Sequence, residues 1–482
     1  MLLAELFPYA HVVTIVFTII YAITILGSIG VVISENRNPV RSLAWVTVLI
    51  LLPVIGLFIY LFFGRSLKSV MMVTRNNRLK LRGQEKLESI DTSKLELSES
   101  SKQIIEMVNS FGDPHYFPGN KIDVFTEGQA KFDQLKADLL AAKEYINFQY
   151  YIFSADKIGQ EIADVLIKKA HEGVKVRVIY DHVGSWSIAS SFFKHLRKEG
   201  VEAYPFLKVT FPQFANRINW RNHRKIVVID GKIGYIGGMN IADRYVTGEK
   251  GYREWRDTHL RITGNAVKAM QYTFAIDWNF MKRMLLTQPT ETHEASLNDS
   301  DGVQIVASGP TQQLNAMSMV FLRAISLAKK RIFIQTPYFL PEDGMMKALQ
   351  AAALGGVDVR LMIPREPDSK ILRYSSFSYV KECLQSNIKV YFYDERMLHS
   401  KCVIVDDEFC TTGSTNFDFR SFEHNFECNA LVYSRSFNQK MQEIFERDIE
   451  KSCSLITLDD WVKRPWSQRT RESLARLLGP IL

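Results

Sequence analysis

Two stretches decide the fold of this chain: HRKIVVIDGKIGYIGGMN, running from His223 to Asn240, and HSKCVIVDDEFCTTGSTN, from His399 to Asn416. Each reads H-x-K-x4-D, then a turn, a strand ending in small residues, and an asparagine 17 positions after the histidine. Agreement at so many positions with identical spacing makes the pair an internal repeat. In a strand, residues i and i+2 share a face, which sets His223 beside Lys225 and His399 beside Lys401. Val227 and Ile229, or Val403 and Val405, continue that face into the interior. Asp230-Gly231 and Asp406-Asp407 are turn residues, so both motifs are hairpins. The returning strands end at Gly237-Gly238 and Gly413-Ser414, where glycine admits close approach of a ligand or another backbone. Asn240 and Asn416 then add an amide donor to each imidazole and ammonium.

These are the groups that handle a phosphodiester. A neutral imidazole is a nucleophile or base, and a protonated one is a general acid near neutral pH. Lysine and asparagine donors stabilise charge developing on phosphoryl oxygens. With two such sets across a pseudo-two-fold, one histidine can attack phosphorus while the other protonates the leaving oxygen. One difficult displacement becomes two, through a covalent phosphohistidine. No metal and no cofactor enter that scheme. The chain also lacks H-E-x-x-H, C-x-x-C, G-x-S-x-G, G-x-x-x-x-G-K-[ST] and an Asp/Glu cluster of nuclease type, which removes the grounds for metal-assisted hydrolysis, serine acyl transfer and P-loop chemistry.

Outward from the motifs, the same order of elements recurs. NFQYYIF at 147–153 answers IFIQTPYFLP at 332–341, and GVKVRVIYD at 173–181 answers GVDVRLMIP at 356–364. A strand Ile146–Phe153 precedes a helix carrying Ile162, Val165 and Leu166, closed by Gly173 and followed by a strand Val174–Tyr180. In the second half a strand Ile332–Thr336, a helix around Met345–Ala353, Gly355-Gly356 and a strand Val357–Ile363 repeat it. Strands alternating with helices predict α/β units and mostly parallel sheets. We therefore expect two α/β domains, 125–300 and 301–482, related by a pseudo-two-fold with a cleft between them, preceded by a polar connector at 65–124.

The N-terminus is of another kind. Residues 12–33 carry no charge and are long enough to reach across a hydrocarbon core of roughly 30 Å, and Leu43–Phe63 does the same. The short polar stretch Ser34–Ser42 between them makes residues 1–64 an expected transmembrane helical hairpin, hence a multi-pass protein. Arg65, Lys68, Arg75, Arg78, Lys80, Arg82 and Lys86 follow the second run against Arg37 and Arg41 in the loop, which places the large remainder in the cytoplasm. Cys383, Cys402, Cys410, Cys428 and Cys453 are odd in number and form no C-x-x-C, as suits a reducing compartment without structural zinc. Over all 482 residues the net charge is +8 and the pI near 9.0, which favours nucleic acid or anionic lipid as partner.

The paired motifs resemble the HKD signature of the phospholipase D superfamily, and both copies are complete. The similarity extends to bacterial cardiolipin synthases through ENRNPVRSLAW between and into the apolar runs, the two-repeat catalytic region and the overall size. It implies transfer of a phosphatidyl group from one phosphatidylglycerol to the hydroxyl of another, giving cardiolipin and glycerol, with no cofactor, no metal and no nucleic-acid partner. Phosphatidylglycerol, other anionic lipids and the bilayer are the partners it implies, and the bacterial cell membrane the location. Carried over residue by residue, the catalytic set is His223, Lys225, His399 and Lys401, with Asn240 and Asn416 holding the phosphate. Asp230 and Asp406 belong to the motif and, as their turn positions suggest, serve the fold more than the chemistry. An acidic residue further along each repeat supports the histidine in such proteins: Glu427 within HNFE and Asp257 within WRD are the candidates, 28 and 34 positions after their histidines. Family habit makes His223 the nucleophile and His399 the acid and base, while the pseudo-symmetry allows the reverse.

Three features remain. Phe206–Trp220 interleaves aromatics with Lys208 and Arg217, a pattern open to a loop that dips into a membrane interface or to an ordinary packed loop. The tail WVKRPWSQRTRESLARLLGPIL is basic and amphipathic, open to a membrane-surface helix or a domain-packed one. His424, three residues before Glu427, is the histidine outside the motifs to watch. Competing functions share the same site: a phospholipase D hydrolase would use water in the second step, a phosphatidylserine-forming transferase an amino acid, and a nuclease a nucleic acid. Two apolar runs and an aromatic approach to the first motif favour lipid.

Overall fold

A computed structural model describes residues 10–34, 39–60, 64, 67–68, 70–84, 91–112, 115–210, 215–248, 254–282, 284–286 and 301–479. The chain divides into two compact units, one comprising Met1–Leu67 with Val209–Asn219, the other Lys68–Lys208 with Trp220–Leu482.

The larger unit is built on one sixteen-stranded sheet. Its first half supplies β1 (Tyr116–Phe125), β2 (Tyr145–Tyr150), β3 (Lys175–Asp181), β4 (Glu202–Phe206), β5 (Ile226–Ile229), β6 (Ile233–Gly237) and β7 (His259–Gly264). The second half supplies β8 (Asp301–Ser308), β9 (Arg331–Gln335), β10 (Asp358–Pro364), β11 (Lys389–Tyr393), β12 (Cys402–Val405), β13 (Phe409–Gly413), β14 (Asn425–Tyr433) and β15 (Cys453–Ile456). In space they run β15-β11-β10-β9-β12-β13-β14-β8-β1-β7-β6-β5-β2-β3-β4, with the two-residue strand Arg221–Asn222 pairing off the path with β14. Apart from the edge strand β15, the order is the same read outward from either side of the β8–β1 pair, which is the expected pseudo-two-fold expressed as strand order. Each half has its own hydrophobic core, one around Phe148, Leu166 and Tyr235, the other around Ile334, Leu361 and Phe417.

The sheet is mixed, where a mostly parallel one was expected. Along the main path parallel pairing is confined to β2-β3-β4 and β9-β10-β11, and off it the short strand Arg221–Asn222 runs parallel to β14. Toward the middle the ladders are antiparallel, because each motif is a hairpin, β5–β6 or β12–β13, whose two strands must run oppositely. β1, from the stretch expected as connector, pairs with β7 and β8 and so closes the two halves into one sheet.

In the smaller unit, Ala10–Ser34 is a single 25-residue helix, and its segment Val12–Gly30 is long and apolar enough to cross a membrane by length and composition. The second apolar run departs from expectation. It forms Pro39–Leu51 and Pro53–Ile59, broken at Leu52 with φ −125° and ψ 70°. Proline lacks the N–H that the helix needs and its ring clashes with the preceding turn, so Pro53 starts a new helix instead of extending the old one. Among the described residues one helix, not two, has the length to span, so one span is supported and the expected two-span, multi-pass hairpin is not. Residues 61–63 of the second run and 35–38 of the expected loop lie outside the described residues. Val32, Leu49 and Tyr60 pack together, with Trp45 edge-on to Tyr60 at 5.4 Å.

Candidate active site

Each motif histidine enters from an extended segment that is pinned to the opposite half. The backbone N–H of His223 donates to the carbonyl of Phe426 at 2.9 Å, and that of His399 to the carbonyl of Arg256 at 2.7 Å. The residues after those carbonyls are Glu427 and Asp257. Accordingly His223 Nδ1 lies 3.0 Å from both carboxylate oxygens of Glu427, and His399 Nδ1 lies 2.6 Å from Asp257 Oδ2. The supports expected within each repeat are thus exchanged: the first histidine is held by the second half and the second by the first. The unequal sequence separations are immaterial, since neither carboxylate serves the histidine from which it was counted.

Burial sets the electrostatics. Lys225, Asp257 and Glu427 are fully buried, and His223 and His399 are 7 % and 6 % exposed. Burial pulls His223 down to about 4, with the Glu427 charge opposing, and holds His399 well below the usual imidazole range, with Lys401 and Lys225 adding to the depression. Both imidazoles are therefore neutral near pH 7, each with an Nδ1–H for its carboxylate and an Nε2 lone pair left over. The lysines are depressed too, Lys225 to about 7 and Lys401 to about 8, by burial and, for Lys225, by the Lys401 charge, against the pull of Glu427 and Asp257. Two such ammonium groups in one site call for negative charge, which a phosphodiester supplies.

The two carboxylates differ. Burial raises Asp257 to about 6, opposed by Lys401 and the Thr258 N–H. Burial raises Glu427 as well, but the contact with His223, the Lys225 charge and the Ser414 hydroxyl outweigh it, so its net shift is downward. Ser414 Oγ donates to Glu427 Oε2 at 2.5 Å. The matching residue in the first motif is Gly238, where a Cβ would collide with the Asp257 carboxylate. One position thus carries a hydroxyl where the acid is long and nothing where its partner is short.

Other expected residues fall into two groups. Asp230 and Asp406 stand in the hairpin turns with left-handed φ of 51° and 50°. Asp230 accepts the N–H groups of Lys143, Glu144 and Tyr145 at 2.7–2.8 Å, and Asp406 those of Lys329, Lys330 and Arg331 at 2.7–3.1 Å. They fasten each hairpin to the start of the neighbouring strand, through backbone N–H groups and not through the motif histidines or lysines. Asn240 reaches the second histidine: its Nδ2 donates to Tyr245 Oη at 3.2 Å, which lies 3.4 Å from His399 Nδ1. Asn416 Nδ2 donates to Asp418 at 3.0 Å, and its buried Oδ1 has no partner among the described residues. His424 ends the helix Phe419–Glu423 with its ring 6.3 Å from Phe419.

Sequence reading missed the layer behind these groups. Arg224, next to His223, donates to Asp277 at 2.5 Å and to the carbonyls of Glu427 and Ser308; Asp277 also accepts from Gln149 at 2.6 Å. In the other half Arg256, next to Asp257, donates to Asp448 at 2.7 Å, and Asp448 accepts from Gln335 at 2.9 Å. Each clamp joins the end of β2 or β9 to the helix that closes its half, Val267–Lys282 or Arg435–Ser452. The signal was present in the aligned Gln149 and Gln335, but the arginines occupy different places in the two repeats. Tyr151, edge-on to His223 at 4.9 Å, and Trp255, 5.2 Å from His399, wall the imidazoles.

The arrangement offers two neutral, carboxylate-oriented imidazoles and two lysines, which suits in-line displacement at phosphorus. Among the described residues no group of three or more His, Cys, Asp or Glu side chains is placed to hold a metal ion. A family model described as the phospholipase D-like domain of cardiolipin synthase matches residues 135–278 and 321–449, and a phospholipase D-nuclease N-terminal model matches 16–65. The major cardiolipin synthase of Bacillus subtilis is 37 % identical over 97 % of this chain and 99 % of its own. Cardiolipin synthase 1 of Staphylococcus aureus is 38 % identical over 99 % of this chain and all of its own. The crystal structure of a phosphatidylserine synthase from Haemophilus influenzae superposes with a TM-score of 0.59 at 15 % identity, over 80 % of this chain and all of that one, a likeness of fold.

Proposed function

The chain belongs to the cardiolipin synthase family of phospholipase D-like proteins, and from that premise we propose that it is a phosphatidyltransferase that makes cardiolipin from two molecules of phosphatidylglycerol. The observation that carries the reading is the crossed pair of buried carboxylate–imidazole contacts, His223 with Glu427 and His399 with Asp257. Glu427 accepts the Nδ1–H of His223 and leaves Nε2 to attack phosphorus. The bond from phosphorus to the glycerol oxygen breaks, and His399, protonated once the phosphate anion is beside it, gives its proton to that oxygen and releases glycerol. The primary hydroxyl of a second phosphatidylglycerol then attacks the phosphatidyl-histidine, gives its proton to His399, and restores His223. Lys225 and Lys401, with Asn240 and Asn416, stabilise the phosphoryl oxygens in both displacements. The ionised Glu427 supports His223 as the nucleophile, and the more weakly acidic Asp257 supports His399 in carrying protons back and forth.

Phospholipids in a membrane are the substrates, and membrane association fits the N-terminal apolar helix. The domain limits near 125 and 300, and a cytoplasmic catalytic unit, belong to the same proposal, supported by Lys68, Arg75, Arg78, Lys80 and Arg82 after the apolar runs. The test is a product assay on the purified full chain in phosphatidylglycerol vesicles with chelator present. Cardiolipin and free glycerol are expected, and His223→Ala and His399→Ala should each abolish them. Phosphatidic acid or cleaved DNA as the main product, or full activity in either variant, would overturn the reading.

A further inference from the structure

Beyond the repeat, the second half continues into β15 and the helices Leu458–Val462 and Trp466–Leu477, which have no counterpart among the described residues of the first half. The catalytic fold does not call for them. One face of Trp466–Leu477 is fastened to the protein. Glu472 and Ala475 are buried, Arg464 pairs with Glu472 at 2.5 Å while lying over the Trp461 ring, and Arg476 pairs with Glu382 of the helix Lys370–Gln385 at 2.5 Å.

The opposite face presents large apolar side chains around Thr470, whose hydroxyl is turned back onto the Trp466 carbonyl. Trp466, Leu474 and Leu477 are 74 %, 60 % and 76 % exposed, and Leu478 follows at 42 %. At about 100° per residue the first three fall within an arc of about 80°, with Arg469 and Arg471 about 60° beyond either edge. A lone exposed leucine is ordinary, but an aligned stripe flanked by cations is not. Apolar side chains gain from leaving water only in a medium without it, and guanidinium groups at the stripe's margins gain from phosphate. A second copy docking stripe to stripe would bring like-charged flanks together.

We propose that the helix Trp466–Leu477 rests in the interfacial layer of an anionic bilayer, apolar stripe down and Arg469 and Arg471 on lipid phosphates. This goes beyond the catalytic reading, and its primary test needs no turnover. The full chain carrying Leu474→Cys, labelled with an environment-sensitive fluorophore, is reconstituted into vesicles of phosphatidylglycerol and phosphatidylcholine, with the unsubstituted chain as blank for its own cysteines. The emission should shift to the blue and be quenched by bromine-bearing lipid, while a label at Lys168→Cys should do neither. A label at 474 that stays in water overturns the proposal, as does a shift in detergent that grows with protein concentration, the mark of a second copy. As a second readout, the triple variant W466S/L474S/L477S should raise the KM for vesicle phosphatidylglycerol roughly tenfold with kcat retained. Its turnover of a short-chain, monomeric phosphatidylglycerol should be unchanged. A chain without transferase activity that still inserts position 474 would sink the catalytic reading and leave this one standing.

Discussion

At the level of single residues, the site's pH behaviour follows from three buried groups. Asp257 at about 6 loses its charge as pH falls through that value, and His399 then loses the acceptor for its Nδ1 proton. Lys225 and Lys401, at about 7 and 8, lose theirs as pH rises. The kcat/KM of the free enzyme should therefore be bell-shaped, falling below about pH 6 and above about pH 7, where Lys225 is the first lysine to lose its charge. Asp257→Asn should lower the plateau and move the acid limb down toward the value of about 4 held by His223; an acid limb unmoved by that substitution would assign it to another group. Glu427→Gln keeps the shape but loses the charge that orients His223, and initial rates should fall on the order of 10²-fold or more. The histidines, lysines and asparagines were legible because they recur at fixed spacing. The crossing of the carboxylates was not, since spacing within a repeat carries no information about contacts across the axis.

At the level of elements, the two hairpins and the two arginine clamps separate folding from chemistry. Asp230→Ala or Asp406→Ala removes three charge-assisted N–H contacts and puts alanine in a left-handed turn, and should cost about 2 kcal/mol or more of stability in denaturant melts. Turnover per folded molecule should be unchanged. Asp277→Ala leaves the Arg224 guanidinium buried without its carboxylate and should cost about 3–5 kcal/mol, a loss that also loosens the segment carrying His223. A denaturation midpoint like that of the parent would show that the clamp contributes little. Strands and helices near the motifs were readable from alternation and capping. The direction of the central strands and the break at Pro53 were not, because apolar content alone reports neither strand polarity nor helix continuity. Pro53 did stand in the sequence as the signal of that break.

At the level of the whole catalytic unit, a single sheet makes the halves interdependent. A fragment of 301–482 would expose the long edge of β8 that β1 normally covers and would lack Asp257, so it should be insoluble or inactive when expressed alone. Activity should return when both halves are produced together, if the β1–β8 ladder can form between chains; soluble, active half-chains would refute the shared-sheet account. The pseudo-two-fold was evident from the repeated wording, but the joining of the sheet was not, because that wording does not extend to β1, in a polar stretch, and its counterpart β8. The exchange of Glu427 and Asp257 across the axis also bears on recombination between relatives. A crossover between the repeats would join a histidine from one parent to the acid of the other in both sites at once. Such a chimera keeps each acid with the residue that suits its length, Glu427 with Ser414 and Asp257 with Gly238, but must rebuild the contact of each acid with the other half's histidine. Successful exchanges should therefore be found between parents whose histidines and acids meet alike across the axis, and the repeat is not by itself the unit that can be traded.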